Sequence, residues 1–262
     1  VNFDTAQSMS LWLQPPINLE LSADEVHVWI ADLEAAIAHL PTWQSLLAVD
    51  ETTRANRFHF QQHRDRYICG RGILRTILAR YLNFAPQAIA FGYGSHGKPF
   101  LSVPNNVSLQ FNLSHSGSLA LYIVGQGRAV GIDIEQIDRD RPVAEIINRF
   151  FTRSEQDYLL GLPPEQQQTE FFRYWTCKEA QAKAHGGGIA QGLDQLDLGS
   201  MLSSSARFIY CDPWAIVPLA LENIWSDYAA AIAVAGQDWQ LKCWEFDWCT
   251  LGRGVRVPRS FA

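Results

Sequence analysis

Three acidic side chains and one ammonium carry most of the chemistry this sequence offers. Val130-Gly131-Ile132-Asp133-Ile134-Glu135 alternates as a strand does. Val130, Ile132 and Ile134 share one face, while Asp133 and Glu135 share the other with Gly131, which has no side chain to crowd them. Residues two apart on a strand lie about 6.6 Å apart, oxygens on one Mg²⁺ about 3–4 Å, and the longer arm of Glu135 closes the difference. Further on, Trp175-Thr176-Cys177-Lys178-Glu179-Ala180-Gln181-Ala182-Lys183 sets Trp175, Glu179 and Lys183 along one narrow stripe of a helix. Two carboxylates about 4 Å apart repel by roughly 4 kcal/mol at an effective dielectric of about 20. A meeting of Asp133, Glu135 and Glu179 therefore needs protons or a cation. An all-oxygen set without histidine or cysteine suits Mg²⁺ rather than zinc, and Mg²⁺ in such a site takes phosphate oxygens to complete its shell. Taken singly, each segment also has a plainer reading: a half-buried strand with a solvated face, or an exposed Glu–Lys pair contributing roughly 0.3–0.5 kcal/mol.

The basic residues cluster elsewhere. Between Arg54 and Arg80 stand seven arginines (54, 57, 64, 66, 71, 75, 80) and one acid, Asp65, so this segment is +6 within a chain of net charge −6. Guanidinium forks suit a phosphate monoester, with a solvated helix face as the plainer alternative. Gly97-Lys98 in a turn and Ser114-His115 at a strand entrance add donors for the same anion, although a lone Ser or His there is more often a local cap. No Walker A sequence and no GxGxxG occur, which disfavours a P-loop or a dinucleotide fold.

Several elements must position these groups. Alternation predicts strands over Val26–Leu33, Leu119–Val124, Val130–Glu135 and Tyr228–Ala235. Helices are expected over Ala35–Leu47 (broken near Pro41), Asp50–Phe60 and Asp65–Leu82, where Tyr67, Leu74, Leu78 and Tyr81 form an apolar face bordered by Arg64, Arg71 and Arg75. Arg149–Leu160 begins as Arg57–Phe60 does, and the segment through Trp175–Lys183 is helical too, stopped by Gly186-Gly187-Gly188. Phe91–Pro99 reads as turns, and 193–226 shows no clear pattern. Gly125-Gln126-Gly127 marks a boundary beyond which the order of elements repeats. The expected fold class is α+β: two similar α+β halves related by a pseudo-twofold, 1–127 and 128–262, with the active site in the cleft between them.

Composition narrows the field. Apolar residues make up 47% of 262, enough for a substantial core. The acidic balance argues against a nucleic-acid or membrane-surface binder. Five cysteines (69, 177, 211, 243, 249) without a CxxC read as reduced thiols of a cytoplasmic protein. The longest apolar run, Tyr228–Ala235, is too short to span a bilayer, and the N-terminus has no signal-peptide pattern.

In combination these segments resemble the 4′-phosphopantetheinyl transferase family, of the larger, monomeric Sfp-like type. Gly131–Glu135 is similar to its G-[IV]-D-[IV]-E, and Trp175–Lys183 to its W-[ST]-x-K-E-[AS]-x-x-K. Gly97-Lys98-Pro99 and Phe111-Asn112-Leu113-Ser114-His115-Ser116-Gly117 are similar to its upstream G-K-P and F-N-x-S-H-x-G. The likeness runs from about Arg54 to Gly188, in the family's order and spacing. It implies transfer of the 4′-phosphopantetheine arm of coenzyme A to a serine of an apo acyl or peptidyl carrier protein, with release of 3′,5′-ADP. It further implies that Asp133, Glu135 and Glu179 hold Mg²⁺ against the pyrophosphate, with Lys183 offsetting charge and Lys178 near the phosphates. Arg54, Arg66 and His115 would meet the 3′-phosphate and adenosine end, with Lys98 and the Asn112–His115 turn (Ser114 included) closing the pocket. Glu155 stands where the family often has an acid that helps deprotonate the serine. Exposed parts of Phe150–Leu160 are the candidate surface for the acidic, helical carrier. Two other readings of the same carboxylates are a Mg²⁺-dependent phosphohydrolase acting on a nucleotide and a non-catalytic module that binds coenzyme A or a carrier.

Overall fold

The computed structural model describes residues 12–102, 108–187, 192–199, 208–221 and 225–248. The chain opens with β1 (Glu25–Asp32), then α1 (Leu33–Ala36), a 3₁₀ turn (Ile37–His39), α2 (Leu40–Leu46), α3 (Val49–Ala55) and the 22-residue α4 (Gln61–Leu82). A hairpin of β2 (Phe91–Tyr93) and β3 (Pro99–Leu101) precedes β4 (Leu109–Ser116), β5 (Leu119–Gln126) and β6 (Val130–Gln136). There follow α5 (Ala144–Phe150), α6 (Arg153–Gly161) and α7 (Pro164–His185), also of 22 residues. Four strands complete the described fold: β7 (Ile209–Cys211), β8 (Trp214–Pro218), β9 (Tyr228–Ala235) and β10 (Gln240–Glu245).

Period-two alternation sets the layers. Val26, Val28 and Ile30 of β1 and Leu119, Leu121 and Ile123 of β5 share one core with Val130, Ile132 and Ile134 of β6 and Ile232 and Val234 of β9. These are the inner faces of two four-stranded sheets, ordered β10-β1-β5-β4 and β6-β9-β8-β7. The opposite face of the first sheet (Trp29, Tyr122, Val124) packs on Ile73, Ile77 and Leu78 of α4. That of the second (Ala231, Ala233, Ile216) packs on Phe171, Cys177, Ala180 and Ala184 of α7. The result is an α+β stack of helix, sheet, sheet and helix. Among the described residues no helix is long and apolar enough to cross a membrane.

Several expectations need correction. The predicted helix Asp50–Phe60 ends at Ala55, and residues 56–60 run exposed into α4. Phe91–Pro99 is part of the β2–β3 hairpin, with Tyr93 opposite Pro99. Asn112 to His115 lie within strand β4 rather than in a turn; the turn comes at Gly117, with φ +56°. The unpatterned 193–226 supplies β7 and β8, both too short for periodicity to register. Strand β10 pairs in parallel with β1, so the last described strand lies in the first sheet. Cys249 and the basic tail with Arg253, Arg256 and Arg259 lie outside the described residues.

Candidate active site

Close packing of α7 on β6 creates the site. A Cβ on Gly131 would stand 2.1 Å from the Ala180 carbonyl oxygen and 2.4 Å from the Ala184 nitrogen, so the helix backbone lies directly on the strand where glycine leaves room. Earlier in α7, Trp175 stacks on Phe151 and Phe171, with ring centroids 6.3 and 5.9 Å away, and anchors the helix in its own core. Glu179 and Lys183 are thereby held over the polar face of β6. Lys183 Nζ donates to Asp133 Oδ1 at 2.6 Å and to Ser114 Oγ at 2.9 Å, while Ser114 Oγ donates to the same Asp133 oxygen at 2.9 Å.

Ser114 belongs to a seam between the edge strands of the two sheets. At alternate positions of β4, Asn112 Oδ1 accepts from Ile132 N (3.0 Å), Ser114 meets Asp133, and Ser116 Oγ donates to Glu135 Oε2 (3.0 Å) while accepting from Gln136 N (3.0 Å). Side chains, not a backbone ladder, thus fix the register of β4 against β6. Asn112 is buried in this seam instead of lining a nucleotide pocket. Ser114→Ala strips the buried Asp133 carboxylate of a donor and is expected to lower stability by about 1–2 kcal/mol, read by urea denaturation.

The electrostatics at the centre of the site are unbalanced. Burial pushes the Glu179 carboxyl up to about 7, with help from the charges of Asp133 and Glu135 and against the pull of Lys183. Burial also raises Asp133, opposed by Lys183 and Ser114, and raises Glu135, which Asp133 pushes further. Asp133 Oδ2 and Glu179 Oε1 are both buried without a hydrogen-bond partner. Unpaired acceptors of this kind are costly, and a hard cation is the species that satisfies carboxylate oxygens from two elements at once. The donor set therefore fits a divalent ion, although among the described residues no three acidic, histidine or cysteine side chains are already gathered as ligands.

The arginines divide into two groups. Arg54 and Arg57 line an open cavity of about 730 Å³ with Tyr67, Tyr93 and Gly97, and the Arg54 guanidinium lies over the Tyr67 ring at 5.6 Å. His115 is exposed beside them. Its partial desolvation first, and then the charges of Lys183, Arg66, Arg54 and His63, hold its imidazole below the usual range. The cations around it, drawn from α3, α4 and α7, make the neighbourhood attractive to an anion. Arg66 also pairs with the exposed Glu34. By contrast, Arg71 and Arg75 are buried on Glu51, with Arg75 Nε 2.7 Å from its Oε2, and are no part of a solvated face or a phosphate wall. Glu51, which sequence reasoning does not single out, sits with Asp50 in the first turn of α3; its only local signal is an acidic pair ahead of the arginine run.

Two further lysines and one acid lie elsewhere than the resemblance implied. Lys178 projects from α7 into the protein, fully buried, where Nζ meets Glu155 Oε2 at 2.8 Å and donates to Leu193 O (2.7 Å) and to Leu196 O. Glu155 spends its other contacts on Thr152 N (2.8 Å) and Leu198 N (2.9 Å). Neither reaches the carboxylates in this conformation. The pair instead pins the 193–198 loop to α6 and α7. Lys98 Nζ is likewise committed to backbone carbonyls at the end of α7 and the start of β6.

Comparison with known proteins agrees with this geometry. The family model described as "4′-phosphopantetheinyl transferase, N-terminal" matches residues 35–126, and "4′-phosphopantetheinyl transferase superfamily" matches 129–233. The chain is 42% identical over 236 residues to the 4′-phosphopantetheinyl transferase HetI of Nostoc sp., covering 90% of this chain and 98% of that one. A putative 4′-phosphopantetheinyl transferase of Synechocystis sp. is 33% identical over 169 residues (64% and 68% of the two chains), and one of Bacillus subtilis is 30% identical over 152 (58% and 66%). With near-complete coverage of a relative at that identity, and acidic and basic groups from both matched regions brought to one place, the chain belongs to the 4′-phosphopantetheinyl transferase superfamily.

Proposed function

We propose that this protein transfers the 4′-phosphopantetheine arm of coenzyme A to a serine of an apo acyl or peptidyl carrier protein, releasing 3′,5′-ADP. The serine oxygen forms a new bond to the phosphorus that bears pantetheine, and the bond from that phosphorus to the bridging oxygen breaks. The serine gives up its proton to solvent, and the bridging oxygen departs on the 5′-phosphate of 3′,5′-ADP. The observation that carries this reading is the pair of buried, unpartnered carboxylate oxygens on Asp133 and Glu179, set beside Lys183 and close to Arg54, Arg66 and His115.

Asp133, Glu135 and Glu179 would hold Mg²⁺, which when bound neutralises charge on the pyrophosphate. Lys183 adds an ammonium on the same side, and its present partner Asp133 keeps it aimed there. Arg54, with Tyr67 and Tyr93 around it, forms a charged and aromatic wall for the nucleotide end. Phosphoryl-type transfer asks mainly for this positioning and charge neutralisation. Both Glu155 oxygens are engaged in a buried network, so it is a poor base here, and solvent is the better acceptor for the serine proton.

The carrier would dock on α6, where Arg153 and Leu160 are exposed and where Phe150, half-buried against Trp175, borders the site. A monomeric, cytoplasmic protein of two pseudo-twofold-related halves completes the reading. It is supported by α4 and α7, which match in length and each back a four-stranded sheet, and by free thiols at Cys69, Cys177, Cys211 and Cys243. Intact mass spectrometry of an apo carrier incubated with protein, coenzyme A and Mg²⁺ tests the proposal. The expected result is one phosphopantetheine added per carrier, with 3′,5′-ADP formed only when carrier is present. Release of 3′,5′-ADP without carrier would identify a phosphohydrolase instead.

A further inference from the structure

The β2–β3 hairpin is a two-stranded sheet of its own, outside both larger sheets. Tyr93 and Gly97 of this hairpin line the nucleotide cavity. Its turn closes through Gly94 N to Lys98 O and Gly97 N to Gly94 O, both 2.9 Å, with Gly97 at φ +79°. Lys98, the next residue, turns its ammonium away from the cavity. Nζ donates to Lys183 O at 2.7 Å and to Ala184 O and Val130 O at 3.2 Å each. An ammonium has three N–H groups, and here each has a backbone acceptor.

The acceptors matter because of where they sit. Lys183 and Ala184 are in the last turn of α7, whose carbonyls lack partners within the helix and whose dipole favours a cation. Val130 opens β6, next to the glycine on which α7 rests. The Lys98 stem also runs close to Gly186, the left-handed cap of α7. Burial pulls the amine down to about 8, so the carbonyls retain a charge that the surroundings disfavour. A lysine placed only to cover apolar surface would leave its head in water. This one ties a wall of the cavity to the joint of the two elements that carry Asp133, Glu135, Glu179 and Lys183.

We propose that Lys98 is a positioning residue, a latch that fixes the distance between the nucleotide wall on the hairpin and the carboxylate–lysine centre on β6 and α7. The inference rests on the reading that this cavity receives coenzyme A. In its absence a bound nucleotide is held at a variable offset from the reacting centre, and loss of alignment appears in turnover as well as in binding.

The test uses the full chain with Lys98→Met and Lys98→Arg. Transfer to an apo carrier is measured with coenzyme A and with 3′-dephospho-coenzyme A, and backbone hydrogen exchange is followed in parallel. For Lys98→Met the expected result is kcat reduced about tenfold at saturating substrate and KM raised by a similar factor, equally for both substrates. Lys98→Arg, which keeps N–H donors, recovers most of both. Exchange in Lys98→Met accelerates together in the hairpin and in the last turn of α7. Wild-type kcat and KM with only a lower melting temperature would overturn the proposal. So would a loss confined to KM that vanishes with the dephospho substrate, because the amine would then be serving the 3′-phosphate. If the wild-type protein modifies no carrier, the functional reading fails. Hydrogen exchange then decides the latch alone: joint deprotection of both segments supports it and unchanged exchange overturns it.

Discussion

Glu155→Ala is expected to destabilise the protein by about 3–5 kcal/mol, a large share of the marginal stability of a folded domain. The substitution leaves the Lys178 ammonium buried without its counter-charge and orphans the Thr152 and Leu198 amides. Burial already pulls the Lys178 amine below its ordinary range against the opposing pull of Glu155, so removing the acid leaves that penalty offset only by the weaker charges of Asp197 and Asp194. Lys178→Met fails for the mirror reason, stranding a carboxylate. The double substitution Glu155→Leu with Lys178→Met removes both charges, and is expected to be less damaging than either single change. Urea unfolding of the three variants measures this. A single-variant loss below about 1 kcal/mol would contradict the burial of the pair. Adding Glu155→Gln separates scaffold from catalysis, because a base at this position would lose turnover in that variant while the fold survived.

The second large effect is on the reaction. Glu179→Gln keeps the shape of the site but removes a charge aimed at the proposed cation. Loss of a preorganised charge of this kind costs about 10²–10³ in kcat, and steady-state transfer rates give the comparison. The ion-free protein responds in the opposite direction. The folded state holds the Glu179 proton up to about pH 7, whereas the ordinary glutamate value is 4.5. The proton is thus bound more tightly in the folded than in the unfolded chain. The corresponding stabilisation is fully present below about pH 4.5 and is lost as pH rises through 7, a difference on the order of 3 kcal/mol. Without divalent ions at pH 8, Glu179→Gln should therefore melt above the wild-type protein, and near pH 4 the two should coincide. Adding Mg²⁺ at pH 8 should raise the wild-type melting temperature and leave that of the variant in place.

Much of this was legible in the residues. The alternation of Val130–Glu135 gives the strand and its acidic face, and the spacing of Trp175, Glu179 and Lys183 gives the helix stripe over it. Arg71 and Arg75 show where such reading stops. On a helical wheel they border the apolar face like any solvated arginine, and only the fold brings Glu51 to them from α3. Lys178 is a similar case, since its position in a motif beside Glu179 says nothing about side-chain direction, and adjacent helical residues point about 100° apart. Asn112 and Ser114 look like turn residues in the sequence because local polarity cannot distinguish a turn from an edge strand whose side chains bond a neighbouring sheet. The parallel pairing of β10 with β1 joins residues more than 200 positions apart, which no local pattern announces.

The central claim is that carboxylates from β6 and α7 form one cation site facing a phosphate-binding wall. Calorimetric titration of Mn²⁺ or Mg²⁺ into the protein with coenzyme A and no carrier tests it most directly. The predicted result is one ion bound per chain, with affinity lowered at least about 100-fold in Asp133→Asn and in Glu179→Gln. Binding in either variant indistinguishable from wild type would contradict the account.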